Sequence, residues 1–211
     1  MIPKLHYRSQ ASSTIDHLQN IQKACSCGVE LVQLDLDHIP VKDHLNLAEE
    51  VIKITAHFQT RLVIKTHYKI AHEIKADGIF LEPQDHSIEH ARNHLYTWQT
   101  IGATAHTLQD CENLISKDVD YIALGPYKAI NDSTITPLGI NGYTAIVDTL
   151  ETSTPILGYG NVTTEDVNDI LETGVSGLLV AQGLHADFNS IKKFNQLLGA
   201  SVVEEMRHSF K

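Results

Sequence analysis

Apolar and polar positions along the chain follow two alternating rhythms. Short runs rich in β-branched and other apolar residues predict strands at Leu5–Tyr7, Leu31–Leu36, Leu62–Lys65, Gly78–Leu81, Ile101–Ala105, Tyr121–Leu124, Pro155–Leu157 and Gly177–Val180. Longer segments with helical spacing lie between and after them. They predict helices at Thr14–Ala24, Val41–His57, Tyr68–Ile74, Ser87–His94, Leu108–Ser116, Asn141–Leu150, Glu165–Thr173 and Phe188–Leu198. Several of the strands are almost continuous apolar runs, as expected where both faces of a parallel sheet are covered. Thr107-Leu108-Gln109-Asp110 and Thr163-Thr164-Glu165-Asp166 fit the capping-box pattern of a helix start. Gly28 and Gly174 stand just past two helix ends, where a left-handed residue is favoured. Eight strand–helix units predict an α/β protein, a single (β/α)8 TIM barrel over residues 1–211 with short loops. An open doubly wound sheet is the alternative. No glycine-rich dinucleotide fingerprint follows the first strand to support it.

Composition narrows the function classes. The chain has 211 residues, 42% hydrophobic and 20% charged, an ordinary globular balance large enough for a core without disulfides. Lys and Arg number 16 against 26 Asp and Glu, a net charge of −10. That excess of acid argues against nucleic acid or an anionic membrane surface as partner. No apolar run is long enough for a membrane helix, and Met1-Ile2-Pro3-Lys4-Leu5 has no apolar signal core. Three cysteines, Cys25, Cys27 and Cys111, in an uneven count suit reduced thiols and a cytoplasmic location. The thirteen histidines are scattered and form no metal-ligand motif. A homo-oligomer is compatible with the sequence.

A barrel of this kind carries its chemistry at the C-terminal ends of its strands. Gln33, Asp35 and Asp37 alternate along the second strand and its extension, so they share one face. Asp35 and Asp37 could ligate a divalent cation with Asp85, or Asp35 could pair with Lys65 on the next strand. Lys65-Thr66-His67 ends the third strand, and Glu82-Pro83-Gln84-Asp85 ends the fourth. Thr104 and His106 share a face at the end of the fifth, where His106 is a candidate acid or base. Gly125-Pro126-Tyr127-Lys128 follows the sixth strand. Gly160-Asn161 and Gln182-Gly183 follow the seventh and eighth, and the latter precedes a stretch long enough for a short extra helix. Exposed N–H groups at such turns bind phosphate, and phosphate sites after strands 7 and 8 recur in this fold.

These segments resemble the thiamine phosphate synthase and thiazole tautomerase superfamily, in particular its Bacteroidetes-like synthases. The resemblance is carried by 17–24 (HLQNIQKA), Val32-Gln33-Leu34, Ala76-Asp77-Gly78-Ile79, 101–108 (IGATAHTL), 120–126 (DYIALGP), Pro137-Leu138-Gly139 and 155–162 (PILGYGNV). It implies a barrel that joins a pyrimidine methyl pyrophosphate to a thiazole phosphate with release of pyrophosphate, aided by Mg2+. The partner it implies is a small phosphorylated heterocycle. A thiazole tautomerase-like isomerase and a non-catalytic phosphate-ligand binder are the alternatives.

Carried over residue by residue, the resemblance makes Gln33, Thr104, Gly125, Gly160, Asn161, Gln182 and Gly183 candidates for substrate and phosphate binding. Asp85 stands at a metal-binding position, and His106, Lys65 and Lys128 are left to supply the catalytic groups. The family's cationic pyrophosphate contacts on the second strand are replaced by Asp35 and Asp37. Lys65 and Thr66 stand where the family has Asn and a magnesium-binding Asp. The phosphate-contacting run after Gly125-Pro126 is replaced near Ile130-Asn131-Asp132-Ser133. The resemblance therefore implies a synthase-like protein with an altered pyrophosphate site, in which Arg-to-Asp35 and Asn-to-Lys65 form a compensated pair.

Overall fold

A computed structural model of the chain describes residues 1–85, 87–130, 134–184 and 187–199. Eight parallel strands close in sequence order, and the first pairs with the last. They are β1 (Leu5–Ser9), β2 (Leu31–Leu34), β3 (Arg61–Lys65), β4 (Gly78–Leu81), β5 (Thr100–Ala105), β6 (Tyr121–Leu124), β7 (Ile156–Tyr159) and β8 (Gly177–Val180). The helices are α1 (Thr14–Ser26), α2 (His44–His57), α3 (Tyr68–Glu73), α4 (Ile88–Arg92), α5 (Leu108–Ile115), α6 (Gly139–Thr149), α7 (Val167–Glu172) and α8 (Ser190–Leu197). A 3-10 turn, Val41–Asp43, precedes α2, and another, Gln182–Leu184, follows β8. The second is formed by Gln182 and Gly183 themselves, whereas the sequence places a short extra helix in the stretch after them, of which residues 185–186 lie outside the described residues.

Local sequence accounts for most boundaries. Thr107 and Asp110 close a complete capping box at the start of α5. Gly28 (φ +92°) and Gly174 (φ +87°) take the left-handed position past α1 and α7. The segment from Thr163 to Asp166 departs from expectation. Asp166 accepts from the Thr163 N–H and hydroxyl, both at 2.8 Å, but α7 begins only at Val167. The pattern closes the turn before the helix, and Asp166 also meets Lys128 across the mouth.

Two hydrophobic clusters result. The larger lies between the strands and the surrounding helices. The smaller, Leu31, Val63, Phe80, Tyr121, Ala123, Leu157 and Leu179, fills the barrel itself. Alternation along β1 and β2 adds polar groups to that interior: His6 and Gln33 are fully buried, and the His6 ring meets Tyr121 edge-on. Gly102 leaves room for the Tyr121 ring, since a Cβ there would lie 2.1 Å from it. The barrel is thus packed shut below its C-terminal mouth, and ligand space is confined to the rim.

Candidate active site

The rim is built on β1 to β4 by an ion cluster. The Lys65 ammonium donates to Asp35 at 3.1 Å and to Asp37. Asp35 is turned to meet it because its second oxygen accepts from the Asp37 N–H at 3.1 Å. Burial alone would raise the Asp35 carboxyl, but Lys65 and that N–H hold it below the usual carboxylate range. Burial likewise opposes the charge on Lys65, and the two aspartates outweigh it and hold its pKa above the usual value. The Asp35–Lys65 pair expected from strand alternation is therefore present.

Asp85 closes the next loop. Its carboxylate accepts from the Thr66 hydroxyl at 2.7 Å and from the Glu82 N–H at 2.8 Å. Thr66 has φ +65°, an unusual conformation for a β-branched residue, held by its N–H on the Phe80 carbonyl at 2.8 Å. Among the described residues no group of three His, Cys, Asp or Glu side chains is arranged to hold a metal ion.

The sequence reading passed over Arg8. It projects from β1 into the rim, 3.0 Å from Glu82, 5.0 Å from the Phe80 ring centre and 3.2 Å from Gln33 Oε1. Gln33 itself is fully buried and orients Arg8 rather than reaching the mouth. The available signal was alternation: His6 and Arg8 share one face of β1, between Leu5, Tyr7 and Ser9.

Opposite, on β5 to β7, His106 Nδ1 is 2.8 Å from the Gly125 carbonyl and 3.2 Å from the Tyr159 hydroxyl. Thr104 is buried at the end of β5. Lys128 donates to both Asp166 oxygens at 2.8 and 2.7 Å, an exposed pair. Its own N–H bonds the Gly160 carbonyl at 3.1 Å. Of the polar stretch that follows, residues 131–133 lie outside the described residues.

Gly160 (φ +107°) and Asn161 (φ +48°) turn the chain sharply after β7. A Cβ on Gly160 would press on Pro126 at 2.6 Å, so only glycine fits. A Cβ on Gly183 would meet nothing within 4 Å. Between these turns lies a cavity of about 490 Å³, lined by Gly160, Asn161 and Gly183 and extending to Arg8 and Phe194. Of Gln182 the backbone alone is described. The sequence-predicted residues thus divide: Gly160, Asn161 and Gly183 line the cavity, whereas Gln33, Thr104, Gly125, Lys65, His106, Lys128 and Asp85 stand outside its lining.

Comparison with known proteins agrees with this architecture. Residues 7–184 match the family described as thiamine monophosphate synthase. A thiamine-phosphate synthase of Flavobacterium johnsoniae is 31% identical, covering 96% of this chain and 100% of that protein. One from Bacteroides thetaiotaomicron is 26% identical over 84% of this chain and 87% of that protein. A solved thiamine phosphate pyrophosphorylase of Pyrococcus furiosus superposes with a TM-score of 0.82 at 18% identity, covering 93% of this chain and 95% of that one. With the match spanning β1 to the turn after β8, the chain belongs to the thiamine monophosphate synthase family.

Proposed function

We propose that the protein is a transferase of thiamine biosynthesis that joins a pyrimidine methyl pyrophosphate to a thiazole phosphate in the cytoplasm. The observation that carries this reading is the cavity of about 490 Å³ at the β7 and β8 turns, in a chain that belongs to this family. The backbone at Gly160, Asn161, Gln182 and Gly183 receives the thiazole phosphate there. Three free cysteines suit the cytoplasmic location.

The reaction breaks the C–O bond between the pyrimidine methyl carbon and the pyrophosphate. It forms a C–N bond to the thiazole nitrogen. Lys128 meets the departing phosphates by exchanging Asp166 for a phosphate oxygen, and exposed ion pairs of this kind are weak enough to exchange. His106, fixed through Nδ1 by Gly125 and Tyr159, orients the heterocycle beside Thr104 and Gly125. Lys65 supplies fixed positive charge on the β3 side.

That charge is offset. Arg8, Lys65 and Lys128 are paired with Glu82, with Asp35 and Asp37, and with Asp166. At an effective dielectric near 20, one unit charge a few Å from a phosphate is worth roughly 4 kcal/mol. Little net positive charge is therefore left to stabilise the departing pyrophosphate. Magnesium, which the resemblance implies at Asp85, does not fit the donor set described. One Asp85 oxygen accepts from both Thr66 and the Glu82 N–H, Asp35 and Asp37 meet Lys65, and among the described residues no three such side chains are arranged to hold a metal ion.

The test is formation of thiamine phosphate by the purified protein, given both substrates, with magnesium and separately with chelator. Slow product formation that falls further in Lys128→Ala supports the reading. A folded protein that binds the thiazole phosphate but yields no product overturns it, and leaves a phosphate-ligand binding protein.

A further inference from the structure

Three carboxylates, Asp35, Asp37 and Asp85, act on His67, the second residue past β3. Two of them, Asp35 and Asp37, also converge on one point at the β2–β3 strand ends, and paired carboxylates of this kind attract a cation. Here both Asp35 oxygens are engaged, one by the Asp37 N–H and one by Lys65. One Asp85 oxygen carries two hydrogen bonds, from Thr66 in the loop after β3 and from the Glu82 N–H in its own loop. Asp35 and Asp37 converge on Lys65, whose side chain is 10% exposed while that of Asp35 is 6% exposed. The ammonium is delivered by β3 itself, in register beside β2, and cannot diffuse away.

We propose that Lys65 is a tethered cation that occupies the cation position between Asp35 and Asp37, so that this mouth takes up no divalent metal ion. The reason is chemical. A metal arriving between these carboxylates must displace an ammonium whose buried stem holds it beside them. It must also shed several of its own waters, which Mg2+ does reluctantly. The tethered charge has neither cost. The exposure of Asp37, at 51%, leaves one side of the cluster open to solvent, so exclusion rests on the ammonium and not on closure of the site. Occupancy by Lys65 holds whether or not the chain turns over substrate, and its test reads metal uptake alone.

The experiment titrates Mn2+ into the full-length protein and follows free Mn2+ by electron paramagnetic resonance. The unaltered protein is expected to take up none at the mouth up to roughly 1 mM. Lys65→Met, checked for folding by circular dichroism, is expected to gain one Mn2+ equivalent at least about tenfold more tightly. Adding Asp35→Asn to that variant is expected to abolish the gain. Uptake of one equivalent by the unaltered protein that Asp35→Asn removes would overturn the proposal. So would a folded Lys65→Met variant that binds nothing. Should Lys65→Met not fold, thermal unfolding of the unaltered protein decides: a midpoint unmoved by Mg2+ supports occupancy, and a rise of several degrees lost in Asp35→Asn sinks it.

Discussion

At the scale of single residues, burial decides which ionic contacts matter. The Asp35–Lys65 pair is nearly enclosed, whereas Lys128–Asp166 is half open to water. Breaking a buried pair from one side leaves a stranded charge and costs about 3–5 kcal/mol. Asp35→Asn and Lys65→Met should each lose that much in urea unfolding, and the double variant should lose less than the sum. The pH window follows from the shifts. Asp35 is depressed, so its contribution is present above about pH 4 and is lost as pH falls further. Lys65 is raised, so its contribution holds up to about pH 10 and is lost above. His6 works differently. Burial pushes its pKa down to about 3, so the unfolded chain binds the extra proton between about pH 6.5 and pH 3. Stability should therefore fall through that range by up to about 5 kcal/mol, and His6→Gln should flatten the profile.

At the scale of elements, two kinds of signal differ in how far they could be read. The Thr107 box was legible because both partners sit within one turn, and Thr107→Ala should cost about 1 kcal/mol in thermal or urea unfolding. The need for Gly102 was not legible. It depends on Tyr121 from the next strand, whose ring a Cβ would meet at 2.1 Å. Gly102→Ala should destabilise by about 3 kcal/mol, and Tyr121→Leu in the same chain should recover part of the loss. Strand bounds were read closely where runs are apolar, as at Gly78–Leu81 and Tyr121–Leu124. β1 runs on to Ser9, past the Tyr7 read from sequence, because Arg8 and Ser9 pair with β2 whatever their polarity. Stopping at Tyr7 is what hid Arg8.

For the whole molecule, the packed interior forces ligands to the rim, and the rim has two unlike halves. The β7–β8 half is a cavity walled by backbone turns, and the β2–β4 half is filled by its own ion pairs. A thiazole phosphate at about a hundredfold its Kd should add about 2.7 kcal/mol and raise Tm by roughly 5–10 °C. Arg8→Ala, at the cavity wall, should shrink that shift, and an unchanged shift would remove Arg8 from the site. The sequence alone determined the eight alternating units and the closed barrel they imply, because periodicity and local caps are short-range properties. It could also pair Asp35 with Lys65, since neighbouring strands and side-chain alternation set that contact. Only the tertiary structure decided that Lys65 takes Asp37 as well, that Asp166 reaches across to Lys128, that Asp85 is met by Thr66 from the loop after β3, and that Arg8 is held between Gln33 and Glu82. Each of these depends on how loops and side chains meet past the strand ends once the barrel is staggered and closed, which fixes distances that no local pattern encodes.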